Sequence, residues 1–594
     1  MAAPPLDPGW KAIDNFTPGI RTTISPNHPP GTAQENGTFR CYADASGALV
    51  PLPRLNLRHL PPTPPVPDPS LSSEQYRIIG LHVNNPMFWP SEASPGVDQN
   101  NTEIFMGVEY WDAPSGASTV HFVLYRYKRH YKNNPVWENV WSESDQIDYS
   151  PDIRPKHFHF QTTRSNNTTP TEAGPAVTCW AVNGHTAMFP DDTATTTNST
   201  RYLPGDTTND PINLTSIGAF VSVDSLVGHQ GRIVFFPLTL IASGDETIFT
   251  TNEAFYYSEV NDARTLDASL GGNHFKIVAG YENPNGYGVW ASLTANELLL
   301  IKTRGGALMI RGDLDDPTQV STLPYVRSTG LSNNVGTRSP LGYLYPVDGS
   351  GVWLWKGGDQ SQHITRNTMS PDFWRPPATV PATIAYESGE ERTDAGWGYG
   401  WTQCADWNEW VLWPNNWLLD TDADSPDNPG GSWWRIDSTD DTEGGYVIHQ
   451  WAVNWRGTEA YGTPSGYRDG SEWALYEFSI QQPSSAFRWR SQPLRESYAA
   501  QTKIEAVGIV ATGRGRVNVT VRSSQDLVGK AFDFVIDDLE HPTLLQLPCG
   551  VEGTHITFDI DSRADIEGEP APSVHALPYL PSANNLPIPL SIRP

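Results

Sequence analysis

Ten of the 22 tryptophans in this 594-residue chain lie between residues 397 and 455. Indole rings in the open stack on the apolar faces of sugars, and their N–H groups supply polar contacts. A glycan-binding surface is therefore one reading of the cluster. The other is packing, because indoles fill the wide spaces between neighbouring sheets. The tryptophans in turn-like text are the candidates for sugar contact: Trp397, Trp401, Trp417 and Trp433.

The acidic loop DTDADSPDNPGG runs from 420 to 431 and sets Asp420, Asp422 and Asp424 at alternate positions. Oxygen ligands at positions one, three and five are how calcium loops begin. Ser425 stands where an EF-hand has glycine, and Gly431 where it has glutamate, so the EF-hand reading fails. A looser calcium site and a solvated turn both remain. The segment 425–433 is one residue longer than the Asp-box turn of sialidase-type sheets, which is structural rather than catalytic. His157 and His159 share one face if HFHF is a strand, but no third ligand stands out. Arg311-Gly312-Asp313 sits in turn-like text. No GxSxG, HExxH, P-loop or dinucleotide fingerprint occurs. With 67 Asp and Glu, the sequence nominates no hydrolytic carboxylate pair.

The elements that must position these groups read as strands. From Tyr76 onward, short runs rich in β-branched and aromatic residues alternate with Gly-, Asn- and Asp-containing turns. ELLLIKTRGGALMIRG (297–312) is two strands joined at Gly305-Gly306. Units of about 40–55 residues recur through GYLYPVDGSGVWLWKGG (342–358), ADWNEWVLWP (405–414) and GYVIHQWAVNWRGTEAYG (445–462), the length of one four-stranded propeller blade. The expectation is an all-β chain. Residues 76–490 form a β-propeller of about seven blades, 491–564 a β-sandwich, and 1–75 and 565–594 extended arms. Eight prolines between Pro51 and Pro69 favour an extended path there.

A formal charge of −28 disfavours binding of nucleic acid and of anionic membranes. Cys41, Cys179, Cys404 and Cys549 are far apart, with no CxxC pair, which indicates neither a zinc site nor a dense disulfide framework. Neither a signal peptide nor an apolar run long enough to span a membrane is legible. The expectation is synthesis in a cytoplasm without membrane insertion.

Three passages carry a resemblance: NFTPGIRTTISPNHPPGTAQENGTFRCYADASGALVPLP (15–53), ELLLIKTRGGALMIRGDLDDP (297–317), and YEFSIQQPSSAFRWRSQPL (476–494) followed by the 503–524 hairpin. Together the chain resembles the propeller-bearing minor tail and tail-tip proteins of tailed bacteriophages. The resemblance implies a structural virion protein, made in the host cytoplasm and placed in the tail. It implies other tail proteins and symmetric copies of itself as partners, with host cell-wall glycan as a further one. The residues themselves lead to the expectation of no enzyme and no cofactor, calcium at the acidic loop excepted. Two other readings stand beside the structural virion protein: a carbohydrate-binding attachment module, and a propeller glycan hydrolase or lyase.

Overall fold

The computed structural model describes residues 9–58 and, between 75 and 587, the strands with their adjoining turns. The longest internal stretches outside the described residues are 59–74, 85–102, 147–157, 165–175, 183–198, 203–218, 261–273, 277–287 and 374–403. The chain is all-β: among the described residues the one helical turn is a 3-10 turn at Thr421–Ala423. No helix among them is long and apolar enough to cross a membrane.

Among the described residues, seven antiparallel sheets follow one another along the chain. The first holds Gln75–Asn84, Glu103–Trp111, Thr119–Lys128 and Trp137–Gln146, with the short Arg468–Asp469 strand beside Gln75–Asn84. The second holds Phe158–Arg164, Ala176–Val182 and Ser199–Tyr202. The third is built on Ala219–His229 and Arg232–Ala242, and the fourth on Gly288–Thr294, Glu297–Lys302, Ala307–Arg311 and Ser321–Tyr325. The fifth runs from Thr337 to His363 and the sixth from Ala405 to Arg435. The hairpin expected at Gly305-Gly306 has Ile301 opposite Ala307.

The first strand of each sheet lies against the first strand of the next. That of the seventh, Gln450–Val453, returns to Gln75–Asn84. Gln450 fastens this return: its Nε2 donates to the carbonyl of Ile78 at 2.5 Å, with the side chain wholly buried. The seventh sheet is completed from the other end of the chain. Its order is Gln450–Val453, Glu459–Thr463, Leu475–Pro483 and then Pro53–Arg58.

Over residues 11–58 this placement corrects the reading of 1–75 as an extended arm and Pro-rich linker; the rest of the linker, 59–74, lies outside the described residues. Residues 11–58 carry six strands, and Ile13, Phe16, Ile20, Ala33, Leu49 and Leu52 are buried in the main core. Proline suggested exclusion from sheets, but Pro53 enters an outermost strand, where no second neighbour needs its missing N–H.

The C-terminal part is an eight-stranded sheet dominated by the hairpin of Ala500–Ser523 and Lys530–Gly553. Along its other edge, Ala500–Ser523 pairs first with Ser573–Pro587 and then with Ile556–Ala564. The change of partner falls at Gly513 and Gly515, with φ of 123° and 149°. A Cβ at Gly515 would stand 2.1 Å from the Arg563 carbonyl oxygen. Only glycine permits both the backbone and the approach, so the sheet bends here. Val517, Val519, Val521, Phe534 and Phe558 of one half share the main core with Ile504, Val507, Val574 and Leu577 of the other. Lys11–Ile13, Cys41–Ala43, Leu49–Pro51 and Ala486–Arg490 complete the sheet.

The expected tail 565–594 thus contains the strand Ser573–Pro587, and the sheet that fills much of 491–564, where a sandwich was expected, also takes in Ala486–Arg490 and Ser573–Pro587. The prolines misled because Pro581 falls beside the irregularity between Ile504 and Ala506, where the regular ladder is already broken.

On the solvent side of the 515–523 half, the rows of side chains alternate in sign. Lys530–Gly553 presents Asp533 and Asp537. Ala500–Ser523 presents Arg514, Arg516 and Arg522. Ile556–Ala564 presents Asp559 and Asp561, with Arg563 beside them at its end, and Ala486–Arg490 presents Arg488 and Arg490. Arg522 and Arg490 both reach Asp559 at 2.7 Å, and Arg488 reaches Asp561 at 3.1 Å. Burial raises the Asp561 carboxyl, but Arg563 and Arg488 outweigh it and hold the group below its usual range.

Candidate functional site

The tryptophan-rich sixth sheet consists of Ala405–Trp407, Trp410–Trp413, Trp417–Asp420 and Ser432–Arg435. Three of these strands are buried at every position. Such strands lie between two layers and read as continuous apolar runs rather than as an alternation.

Of the four tryptophans expected to touch sugar, Trp417 is fully buried and Trp433 is 4% exposed. Trp417 donates from Nε1 to the Phe373 carbonyl at 3.2 Å, and the Arg435 guanidinium lies 4.9 Å from its ring centre. Trp433 meets Phe373 edge-on at 4.8 Å and Trp413 at 5.7 Å. Trp407 packs edge-on against Trp410, and Trp410 against Tyr42 of the N-terminal segment. These indoles are core, and for Trp417 and Trp433 the sugar-contact reading is withdrawn. A sugar ring has no access to them. Trp397 and Trp401 lie outside the described residues.

The three aspartates expected to ligate calcium do not converge. Asp420 is buried and caps the 3-10 turn, accepting from the Asp422 backbone N–H at 3.2 Å. Asp424 closes the loop by accepting from the Gly430 N–H at 2.7 Å, and its other oxygen meets Lys356 at 3.2 Å. Among the described residues, no group of three or more His, Cys, Asp or Glu is placed to hold a metal ion. The alternation that suggested ligands instead follows from turn chemistry, where short carboxylates satisfy backbone N–H groups. Burial raises the Asp420 carboxyl to about 7; the Asp422 N–H opposes this, and the charges of Asp422 and Glu409 add to it.

The acidic loop holds the N-terminal segment. The Asn428 amide donates to the Thr17 carbonyl at 3.2 Å and accepts from Arg21 Nη2 at 3.2 Å. The Ser432 hydroxyl also donates to the Thr17 carbonyl. Gly19, with φ of 66°, lies so close that a Cβ there would be 2.9 Å from the Trp433 carbonyl oxygen. Further along, the Arg40 N–H donates to the Arg435 carbonyl at 2.9 Å, and the Arg40 guanidinium pairs with Asp437 at 2.7 Å. The buried Arg435 reaches Glu35 at 3.1 Å. Residues 15–40 are thus clasped between the sixth sheet and the C-terminal sheet, which they meet through Phe39 and Arg488. Nothing in the sequence marked Asn428, Ser432 or Arg435 for this work, because their partners lie more than 390 positions away.

Of the other motifs, Gly312 sits in a turn clamped by Gln230, whose Nε2 donates to the Gly312 carbonyl at 2.8 Å and whose Oε1 accepts from the Leu314 N–H at 2.8 Å. His157 and the side chain of His159 lie outside the described residues. Cys41, Cys404 and Cys549 are buried free thiols, and burial pushes the pKa of each up.

No protein-family model matches the chain, and no curated protein matches it. Among solved structures, the exo-β-1,3-galactanase of Phanerochaete chrysosporium with galactose is 9% identical over 70% of this chain and 100% of that one, with a TM-score of 0.21. A glycoside hydrolase family 43 arabinoxylan arabinofuranohydrolase from Bacillus subtilis, in complex with cellotetraose, is 6% identical over 81% of this chain and 93% of that one, also at 0.21. Likeness this slight carries no argument about activity.

Proposed function

We propose that this chain is a structural virion protein of a phage tail tip, acting in tail assembly and host-cell attachment. In this reading its seven sheets are the blades of a β-propeller closed by the Pro53–Arg58 strand, and the bent C-terminal sheet is a β-sandwich fixed to it. The supporting observation is the join between the two. The passages that resemble tail proteins at 15–53 and 476–494 form it: Phe16, Tyr42, Phe487 and Trp489 belong with both parts to one hydrophobic core. A continuous core holds two bodies at a set angle, as a part repeated symmetrically in a larger assembly requires.

Attachment through a cell-wall glycan would use groups other than Trp417 and Trp433, and Trp397 and Trp401 are the pair to change. The reading is tested by labelling purified virions with an antibody against the chain and imaging them by electron microscopy. Label at the tail tip is the expected result. Label absent from virions, with the protein free in infected cells, would overturn it.

A further inference from the structure

The Lys530–Gly553 strand is an edge. Among the described residues only Ala500–Ser523 pairs with it, although it is 24 residues long. Long free edges invite pairing with other chains, and proteins usually blunt them. Here Pro542 and Pro548 blunt the second half, while 530–538 holds no proline and keeps regular register, from Lys530 opposite Val521 to Asp538 opposite Gly513. Beside this open stretch is exposed apolar surface: Val535 is 61% exposed, Leu539 66%, and Leu527 and Val528 at the hairpin tip 77% and 82%.

The alternating rows of charge say what would cover it. Asp559 and Asp561 lie between the arginines of the strands on either side, reached by Arg522, Arg490 and Arg488, although Arg516 stands opposite Arg563. Among the described residues, the acidic row of Asp533 and Asp537 has neighbours on one side only, Asn518 at 3.2 Å from Asp533 and Arg514 at 3.3 Å from Asp537. Continuing the alternation calls for a basic strand outside it. A second copy of this edge would set carboxylates against carboxylates, which costs stability in directly opposed pairs.

We propose that residues 530–538 form a docking edge for an extended segment of a partner protein, which adds as one further strand. Its side chains follow the pattern basic–x–apolar–x–basic, opposite Asp533, Val535 and Asp537. Backbone hydrogen bonds supply affinity, and the alternate side chains supply choice of partner. The inference does not depend on the tail-tip reading.

The test uses the full-length chain and a fluorescein-labelled synthetic nonapeptide centred on Arg-Thr-Val-Thr-Arg, with a control in which glutamate replaces both arginines. Saturable binding by anisotropy at low salt is expected, with slowed amide exchange confined to 530–538. The Asp533→Lys/Asp537→Lys variant should bind about tenfold more weakly or worse, and the control peptide should not bind. Should that variant lose its native melting transition, Val535→Lys at an exposed position is read instead and should weaken binding likewise. The proposal is overturned by no binding at millimolar peptide, by equal binding of the control, or by undiminished binding to the folded variant. Protection of 530–538 that grows with protein concentration alone would overturn it in favour of self-pairing.

Discussion

The ring of Phe16 meets the indole of Trp489 edge-on, with centroids 5.0 Å apart and planes at 86°. Both side chains are essentially fully buried. One belongs to the N-terminal segment, and the other to the strand that opens the C-terminal sheet after the seventh sheet ends. Replacing Phe16 with alanine removes the larger part of this contact and leaves a cavity. The expected cost is about 3–5 kcal/mol, with the N-terminal segment released first. Limited proteolysis should cut Phe16→Ala within residues 9–40 before the intact protein is cut anywhere in that range.

Trp417 and Trp433 separate packing from binding. Trp417→Ala is expected to lower stability by about 3–5 kcal/mol. Trp417→Phe keeps most of the ring, loses the hydrogen bond to Phe373 and should cost about 1–2 kcal/mol. Denaturant unfolding monitored by tryptophan fluorescence reads both. Binding to host cell-wall glycan, where the intact protein shows it, should be unchanged in the Phe variant. A selective loss of binding with stability intact would return Trp417 to the surface.

Asp420 predicts a dependence on pH. Its folded pKa is raised to about 7 from about 3.9 in an unfolded chain. Between these values the folded state holds the proton more tightly, so this group's contribution is fully present below about pH 4 and is lost as pH rises through 7. The change is on the order of 2–4 kcal/mol. Asp420→Asn keeps an oxygen to accept from the Asp422 N–H and carries no charge. Its melting temperature should exceed that of the intact protein at pH 8, and the gap should close toward pH 4.5. A gap that widens on acidification would refute the assignment.

Gly515 is the bend. Alanine there must hold a φ of 149° with a Cβ against the Arg563 carbonyl, and the expected cost is about 2 kcal/mol or more. The damage should stay local. Hydrogen exchange should quicken at the junction of Ile556–Ala564 with Ser573–Pro587, while the seventh sheet keeps its protection.

The all-β character and the strand-by-strand text were legible because aromatic and β-branched runs between Gly and Asn turns carry local information. The hairpin at 297–312 depended on nothing distant. What could not be read was long-range pairing. Pro53–Arg58 looked like part of a proline-rich arm, because its proline is permitted only by a position outermost in the seventh sheet. Ser573–Pro587 looked like a tail for a similar reason: Pro581 and Pro587 fall where the ladder is already irregular, while Pro578 keeps register with Ala12. At the candidate site, Trp433 and Asp424 sat in turn-like text, but Gly19 lies against the Trp433 backbone, Lys356 meets Asp424, and Thr17 takes the amide of the neighbouring Asn428. Residue type announced that such groups could bind something; it did not announce that their partners were distant parts of the chain itself, the N-terminal segment among them.

Pro53 and Ser484 meet in the buried seam of the seventh sheet, 431 residues apart in sequence. A ribosome adding roughly 5–20 residues per second takes about 20–90 s to cover that distance. Throughout that interval the first-made strand waits for a neighbour that does not yet exist, and six sheets stand in a row with both ends open. Closure is therefore a late event with a large entropic barrier. Until then the nascent chain exposes pairing edges at both ends of that row. Yield in a foreign host should depend on how well that open interval is shielded, more than on how stable the closed protein is.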